Sequence, residues 1–261
     1  MTGIYQHFRK DEHPFIDQAL SWINQVELVY ESKLTDFLDP REQDILHSLI
    51  GSGNDTIRLE FNGANVNAER KRALIAPFYE EPDQDDFQIV VLEAKYPEKF
   101  VQLEHRDCLG AFMSLGIDRK KLGDMIVEGG LIQIAVASEI ATYVQTNLVS
   151  VKHAKIKLTE VSREAFQLVP AIWDEADKTV SSLRLDAVIG EIYNLSRKSA
   201  QDAISKGMVK VNYRLIEDSK FQLQEEDLLS LRGKGRSKLV AVKGNTKKDK
   251  IRITCARLLP S

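Results

Sequence analysis

The sequence predicts an α+β protein of several domains. A small, mostly helical domain over residues 1–80 is followed by a central α/β sandwich over 87–160 and a small basic domain over 181–261. Three observations predict this. The chain has 261 residues, more than one small core accommodates. An acidic, proline-containing stretch, EEPDQDD at 80–86, interrupts the periodic segments. Charge is unevenly shared: residues 1–180 hold 19 Lys and Arg against 30 Asp and Glu, whereas residues 181–261 hold 17 against 9. The 43% hydrophobic content suffices for ordinary cores, and no window approaches the ~18 consecutive apolar residues of a membrane span. The first residues have neither the apolar core nor the cleavage site of a secretory signal.

In chain order, residues 14–30 place Phe15, Ile16, Ala19, Leu20, Ile23, Val26 and Val29 at a helical period with one buried face. FLDPREQDILHSLIG opens a second helix. Asp39 is its N-cap, Pro40 takes the first helical position, Glu42 closes a capping box and Gly51 is the stop. TIRLEFNG reads as a strand with Ile57, Leu59 and Phe61 on one face. NAERKRALIAPFY is expected to form a short basic helix ending near Pro77, with Arg70, Lys71 and Arg72 on a solvated face, or, as the alternative, in a secondary RNA contact.

Beyond the acidic stretch, FQIVVLEA is a strand, and HRDCLGAFMSLGI and DRKKLGDM are helical. MIVEGGLIQIAVA is a hairpin turning at Gly129-Gly130. SEIATYVQTNL is a helix capped by Ser138, and VKHAKIKLTEV is a strand. Strand, helices, two strands, helix, strand is the order of a split βαβ, RRM-like sandwich, a shape that many RNA-binding modules use. Residues 160–182 connect it to the last domain.

In that domain one helix runs from about Leu185 to Tyr193. Ser196 caps the next and Gly207 ends it. Ala200, Ala203 and Ile204 point inward, while Arg197 and Gln201 share an outward face with Lys198 beside them. Basic residues in a first turn oppose the helix dipole. They make sense where a phosphate docks against the free N–H groups. In MVKVN, Val209 and Val211 face the core, so Lys210 and Asn212 face out. DLLSLRGKGRSKLVAV is two strands joined by a glycine-rich loop. Leu229, Leu231, Val240 and Val242 anchor it, and Arg232, Lys234, Arg236 and Lys238 stand in solvent. Glycines let the backbone come close, and the cations meet phosphates. A basic module on an acidic body is the charge pattern of a protein that meets a polyanion.

The order and identity of these residues resemble the αL-type RNA-binding domain named for ribosomal protein S-four. The likeness runs through Arg184-Leu185-Asp186, Ser196-Arg197-x-x-Ala200, Lys206-Gly207, Val209-x-Val211-Asn212 and Glu226-Asp227. Gln201 stands where a basic residue is common, and Tyr213 where glycine often stands. The resemblance implies RNA contacts from Arg184, Ser196, Arg197, Lys198, Gln201, Lys206, Lys210 and Asn212, beside the loop cations Arg232, Lys234, Arg236 and Lys238. The full chain also resembles bacterial YlmH-like proteins, through FLDPREQ, ERKRALIAPFY, LEHRDCLGAFMSLGI, GDMIVEGG and SLRGKGR. That family is RNA-binding and was first linked to cell division by gene neighbourhood. Related single-domain proteins with the same fold act on large ribosomal subunits blocked by peptidyl-tRNA. The resemblance implies such a role in translation quality control. It implies a cytoplasmic protein with rRNA or tRNA on a ribosomal subunit as partner, and neither DNA nor membrane.

Several motifs suggest chemistry that their context does not support. RLD at 184–186 occurs in pseudouridine synthases, where the Asp is the nucleophile, but no catalytic domain follows it here. Asp186 is expected to start a helix. HRD at 105–107 lacks the asparagine and the Asp-Phe-Gly of a kinase. GKGRSK is not GxxxxGK[ST]. The two cysteines, Cys108 and Cys255, form no CxxC, and the five histidines have no metal spacing. No cofactor, no metal and no enzymatic activity are expected. The alternatives are an RNA-modifying enzyme with its site in 87–160, and a division-linked scaffold whose acidic half binds protein.

Overall fold

The computed structural model describes residues 5–51, 55–246 and 249–259. It comprises two compact units, one up to Val169 and one from Pro170 onward.

The first unit opens with α1 (His13–Val29), whose Phe15, Ile16, Ala19, Ile23 and Val26 are buried at helical spacing. β1 (Lys33–Leu38) leads into α2 (Pro40–Ile50). The capping box is formed as its residues suggest. Glu42 N donates to Asp39 Oδ1 at 2.9 Å, and Asp39 N donates to Glu42 Oε2 at 3.0 Å. β2 (Ile57–Asn62) and β3 (Lys71–Pro77) complete an antiparallel sheet in the order β1-β3-β2. Residues from both helices and the sheet, among them Ile16, Leu46 and Ile75, share one core.

The expected basic helix over NAERKRALIAPFY is therefore β3, the central strand, and the N-terminal region is an α/β layer rather than mostly helical. Arg72 through Pro77 are all buried. A short, continuous apolar run buried on both faces is as compatible with a central strand as with a helix, and the sheet decides. The basic cluster is not a solvated face either. Arg70 donates to the carbonyls of Leu122 and Phe37 at 3.2 and 2.8 Å, and Arg72 to those of Thr35 and Gln88 at 2.7 and 3.0 Å. Both are buried cations whose donors are spent inside the unit.

β4 (Ile89–Lys95), α3 (His105–Ser114), β5 (Leu122–Glu128), β6 (Leu131–Ala137) and α4 (Ser138–Asn147) follow in the expected order. Three details differ. DRKKLGDM is a single 3-10 turn running into β5. Ala137, not Ser138, is the N-cap of α4. VKHAKIKLTEV is broken into a small hairpin, β7 (Ser150–Val151) and β8 (Ala154–Lys155), and then β9 (Thr159–Val161). The sheet order is β5-β6-β4-β9 with every pair antiparallel, the arrangement of a split βαβ fold. α3 and α4 pack on one face, through Cys108, Phe112, Ala141 and Val144 against Leu92, Ile132, Ile134 and Val136.

The other face is covered as well. Phe37 of β1, Leu74 of β3, Phe87 and Phe166 pack on Ile89, Val91, Ala135 and Ala137. The fit is close: a Cβ on Gly123 would stand 2.7 Å from the Phe37 ring. The stretch 80–86 thus links two sheets that share a core.

The second unit begins with β10 (Trp173–Val180), inside the segment expected to be a connector. α5 (Leu185–Ile192), α6 (Arg197–Ser205), β11 (Val209–Val211), β12 (Arg214–Leu215), β13 (Leu228–Leu231), β14 (Gly235–Asn245) and β15 (Ile251–Leu258) follow. The six strands form one sheet, β10-β15-β14-β13-β11-β12. β10 pairs along its whole length with β15. Val188, Ile189, Ala200 and Ile204 of the helices meet Leu229, Leu231, Leu239 and Ile253 of the sheet. The anchors differ by one position from the expected set. Leu239 is buried and Val240 only half so, because a bulge between Leu239 and Ala241 inverts the alternation and returns Val242 to the core side.

Candidate nucleic-acid interface

Two groups of the expected residues come together in the second unit. The first is organised by Asp186. Its side chain lies at the start of α5 with the residue 1% exposed, where a lone carboxylate would be costly. Arg184 meets it with both arms of its guanidinium, Nε on Oδ1 at 3.0 Å and Nη2 on Oδ2 at 2.7 Å. Gln201 of α6 donates to Oδ2 at 2.8 Å, and Arg197 Nε lies 3.7 Å from the same oxygen. Burial pushes this carboxyl up, but the Arg184 and Gln201 hydrogen bonds and the two guanidinium charges outweigh it and hold it below the usual carboxylate range.

Asp186 is therefore more than a helix-start residue. It docks α5 on α6 and fixes two arginines at the surface. The sequence signals were its Arg-x-Asp spacing and the one-turn spacing of Arg197 and Gln201. Gln201, where the pattern commonly has a base, supplies a neutral donor to a carboxylate that already has two cations. Arg197 keeps most of its side chain in solvent. Lys198 beside it is exposed, and Ser196 caps α6 by accepting from Ser199 N at 3.1 Å.

The second group lies on the sheet. Val209 and Val211 are buried and Lys210 is exposed, as alternation requires. Lys210 pairs with Ser230, and Ser230 with Arg236, so the three form one cross-strand row on the face away from the helices. The row leads to the tip between β13 and β14, where Arg232 and Lys234 are exposed. Arg232 N donates to the Met208 carbonyl at 2.9 Å, which ties the tip to the turn after Lys206-Gly207. Gly233 and Gly235 have φ of 80° and 90°, values that side chains rarely adopt, so the tight tip requires them. Tyr193 donates its hydroxyl to the Gly235 carbonyl at 3.0 Å and steadies the exit of the loop.

Besides Gln201, which turns to the buried Asp186 carboxylate rather than outward, Asn212, Arg236 and Lys238 are placed differently from expectation. Asn212 does not face out. Its amide donates to Asp227 Oδ1 at 2.8 Å, and its side-chain oxygen accepts from Leu228 N at 2.9 Å. With Tyr213 it forms the turn between β11 and β12, both residues at positive φ, 46° and 66°. The turn keeps the backbone that a glycine would supply. Lys238 pairs with Glu226, and Arg236 is half-buried, so Arg232 and Lys234 are the fully exposed cations of the loop. One cation escaped sequence reasoning: exposed Arg257, opposite Ser237 in the sheet, with its guanidinium carbon 5.3 Å from the Tyr193 ring centroid. Only strand pairing brings it beside a loop about twenty residues away.

The fold and this surface define a multi-domain protein with a C-terminal RNA-binding domain. Residues 183–229 match the model of the S4 domain, and residues 82–165 match "Putative RNA-binding domain in YlmH". The chain is 42% identical, over 98% of its own length and 99% of the relative's, to "Ribosome-associated protein quality control protein P2" of Bacillus subtilis strain 168. A solved structure, "Cell division protein ylmH from Streptococcus pneumoniae", is 32% identical and superposes with a TM-score of 0.54, covering 63% of this chain and 99% of that one. The chain belongs to the YlmH family of RNA-binding proteins.

Proposed function

We propose that this protein binds structured RNA, ribosomal or transfer RNA, on the ribosome, and acts in translation quality control on large subunits blocked by peptidyl-tRNA. The observation that carries the reading is the exposed cationic tip, Arg232 and Lys234, continued by the row through Lys210. Arg184, Arg197 and Lys198 offer a second set of charges at the helices. Phosphate contacts from such side chains position a protein on RNA. The name of the Bacillus relative supports a ribosomal partner and a cytoplasmic setting.

The action is binding rather than catalysis. The Asp186 carboxylate, the one candidate nucleophile in a known motif, is buried and accepts from Arg184 and Gln201. Cys108 is buried, with its thiol pushed up to about 11 by desolvation and by Asp107, which leaves it inert near neutrality. In HRD, Asp107 accepts from Glu104 N at 2.9 Å and pairs with Lys152 at 2.6 Å, the role of a helix-start residue.

Sedimentation with isolated large ribosomal subunits tests the reading. The protein should travel with them at low salt and dissociate as salt rises, and crosslinked RNA should map to rRNA or tRNA. Absence from the subunit fraction at low salt would refute it. Recovery with division proteins instead would favour the scaffold reading.

A further inference from the structure

We propose that the first unit carries a second RNA-binding surface: a ridge formed by His153, Lys155 and Lys157 on the helix side of the central fold. The inference rests on the proposed RNA-binding function and names where a further part of the RNA would be held. In an open split βαβ module the exposed sheet face is the natural platform, with bases stacked on it. Here that face is unavailable, because Phe37, Leu74 and Phe166 pack on Ile89, Val91 and Ala135. The basic cluster at 70–72 is unavailable too, since Arg70 and Arg72 are buried. RNA reaching this unit must therefore meet another surface.

Residues 140–159 contain no Asp or Glu, in a unit where residues 1–169 hold 27 acids against 18 Lys and Arg. Within that window Val151, Ala154, Ile156 and Leu158 are buried in the core beneath α3 and α4. The alternation leaves Lys155 and Lys157 exposed on the outer side of the segment, and His153 is exposed in the turn between β7 and β8 just before them. Side chains two residues apart on extended chain stand about 6.6 Å apart, close to the spacing of successive phosphates on a strand. Among the described residues none of the three has an ion-pair partner, and the nearby acid Asp107 is taken by Lys152 at 2.6 Å. The buried anchors fix the backbone, so little ordering is needed on binding. The two lysines suit a backbone contact without sequence readout.

The test uses the full chain, titrated with isolated large ribosomal subunits and with bulk tRNA across a salt series. Lys155→Glu/Lys157→Glu should weaken binding about tenfold or more near ~0.1 M salt, and should flatten the slope of log affinity against log salt by about one to two units. Lys155→Gln/Lys157→Gln should give a smaller change of the same sign and serves if the double reversal unfolds. Lys10→Glu/Lys33→Glu alters net charge equally elsewhere in the unit and should leave both quantities nearly unchanged. If the ridge variants keep the parent's slope while Arg232→Ser/Lys234→Ser flattens it, the ridge is not an RNA surface and the functional reading stands. If neither set has an effect, the functional reading fails as well. An equal loss in the control would show a bulk charge effect and overturn the ridge.

Discussion

Single side chains decide much of this molecule through where their partners lie. Asp186 accepts from Arg184 and Gln201 and has Arg197 3.7 Å away, so it holds two surface arginines in place. Asp186→Ala should destabilise the C-terminal unit by about 1.5–3 kcal/mol, the scale of hydrogen bonds to a charged group. It should also weaken RNA binding, although the carboxylate itself touches no RNA. The pH dependence follows from the depressed carboxyl. Its contribution is complete above the unfolded value of ~3.9 and disappears as pH falls through the lower folded value. A thermal melt series from pH 6 to pH 2.5 should therefore show a steeper acid loss in the parent than in Asp186→Asn, which keeps only the share of the other depressed carboxyls such as Glu12 and Asp177.

Asp39 runs the other way. Burial, with the Glu42 charge beside it, pushes its carboxyl up to about 6. The ionised form thus costs stability as pH rises from ~4 through 6. Asparagine caps as well as aspartate does. Asp39→Asn should match or exceed the parent's melting temperature at pH 7.5, whereas Asp39→Ala should lose about 1 kcal/mol through the missing cap.

At the scale of elements, the hairpin between β13 and β14 separates cations that are free from cations that are used. Arg232→Ser/Lys234→Ser should flatten the salt slope of RNA binding by about one to two units, with little change in melting temperature because Leu229, Leu231 and Leu239 still hold the strands. Lys238→Ser should change the slope far less, since that ammonium already neutralises Glu226. Salt titrations of the two variants side by side check both statements. The elements also show how far local pattern reaches. The α2 capping box lies within four residues, and the Gly129-Gly130 hairpin within one turn, and both were legible. β3 was not, because a buried run such as Ala73-Leu74-Ile75-Ala76 has no period to choose helix or strand. The Val240 register was missed because a bulge breaks the alternation on which the reading depended.

For the whole molecule, β10 sets where the second unit begins. It pairs from Trp173 to Val180 with β15, so a fragment from Pro170 should fold and bind RNA by itself. A fragment from residue 181 leaves the whole length of β15 without its edge partner. It should melt lower, or aggregate, and lose affinity with its fold. Circular dichroism and RNA titration of the two fragments separate these outcomes.

The amino-acid order by itself determined the charge asymmetry, the caps of α2 and α6, the Val209 and Val211 alternation, the split βαβ order and the S-four pattern with its exposed loop cations. Each of these is written in composition or in residues a few positions apart, where backbone geometry alone relates them. What only the tertiary structure decided is which charges remain available. Arg70 is spent on carbonyls 33 and 52 positions away, Asn212 on Asp227 and Leu228, and Lys238 on Glu226. The open-looking face of the central sheet is closed by Phe37 and Phe166, from either side of it in the chain. Burial and pairing belong to surfaces that meet only when the chain has folded, and no local spacing encodes them.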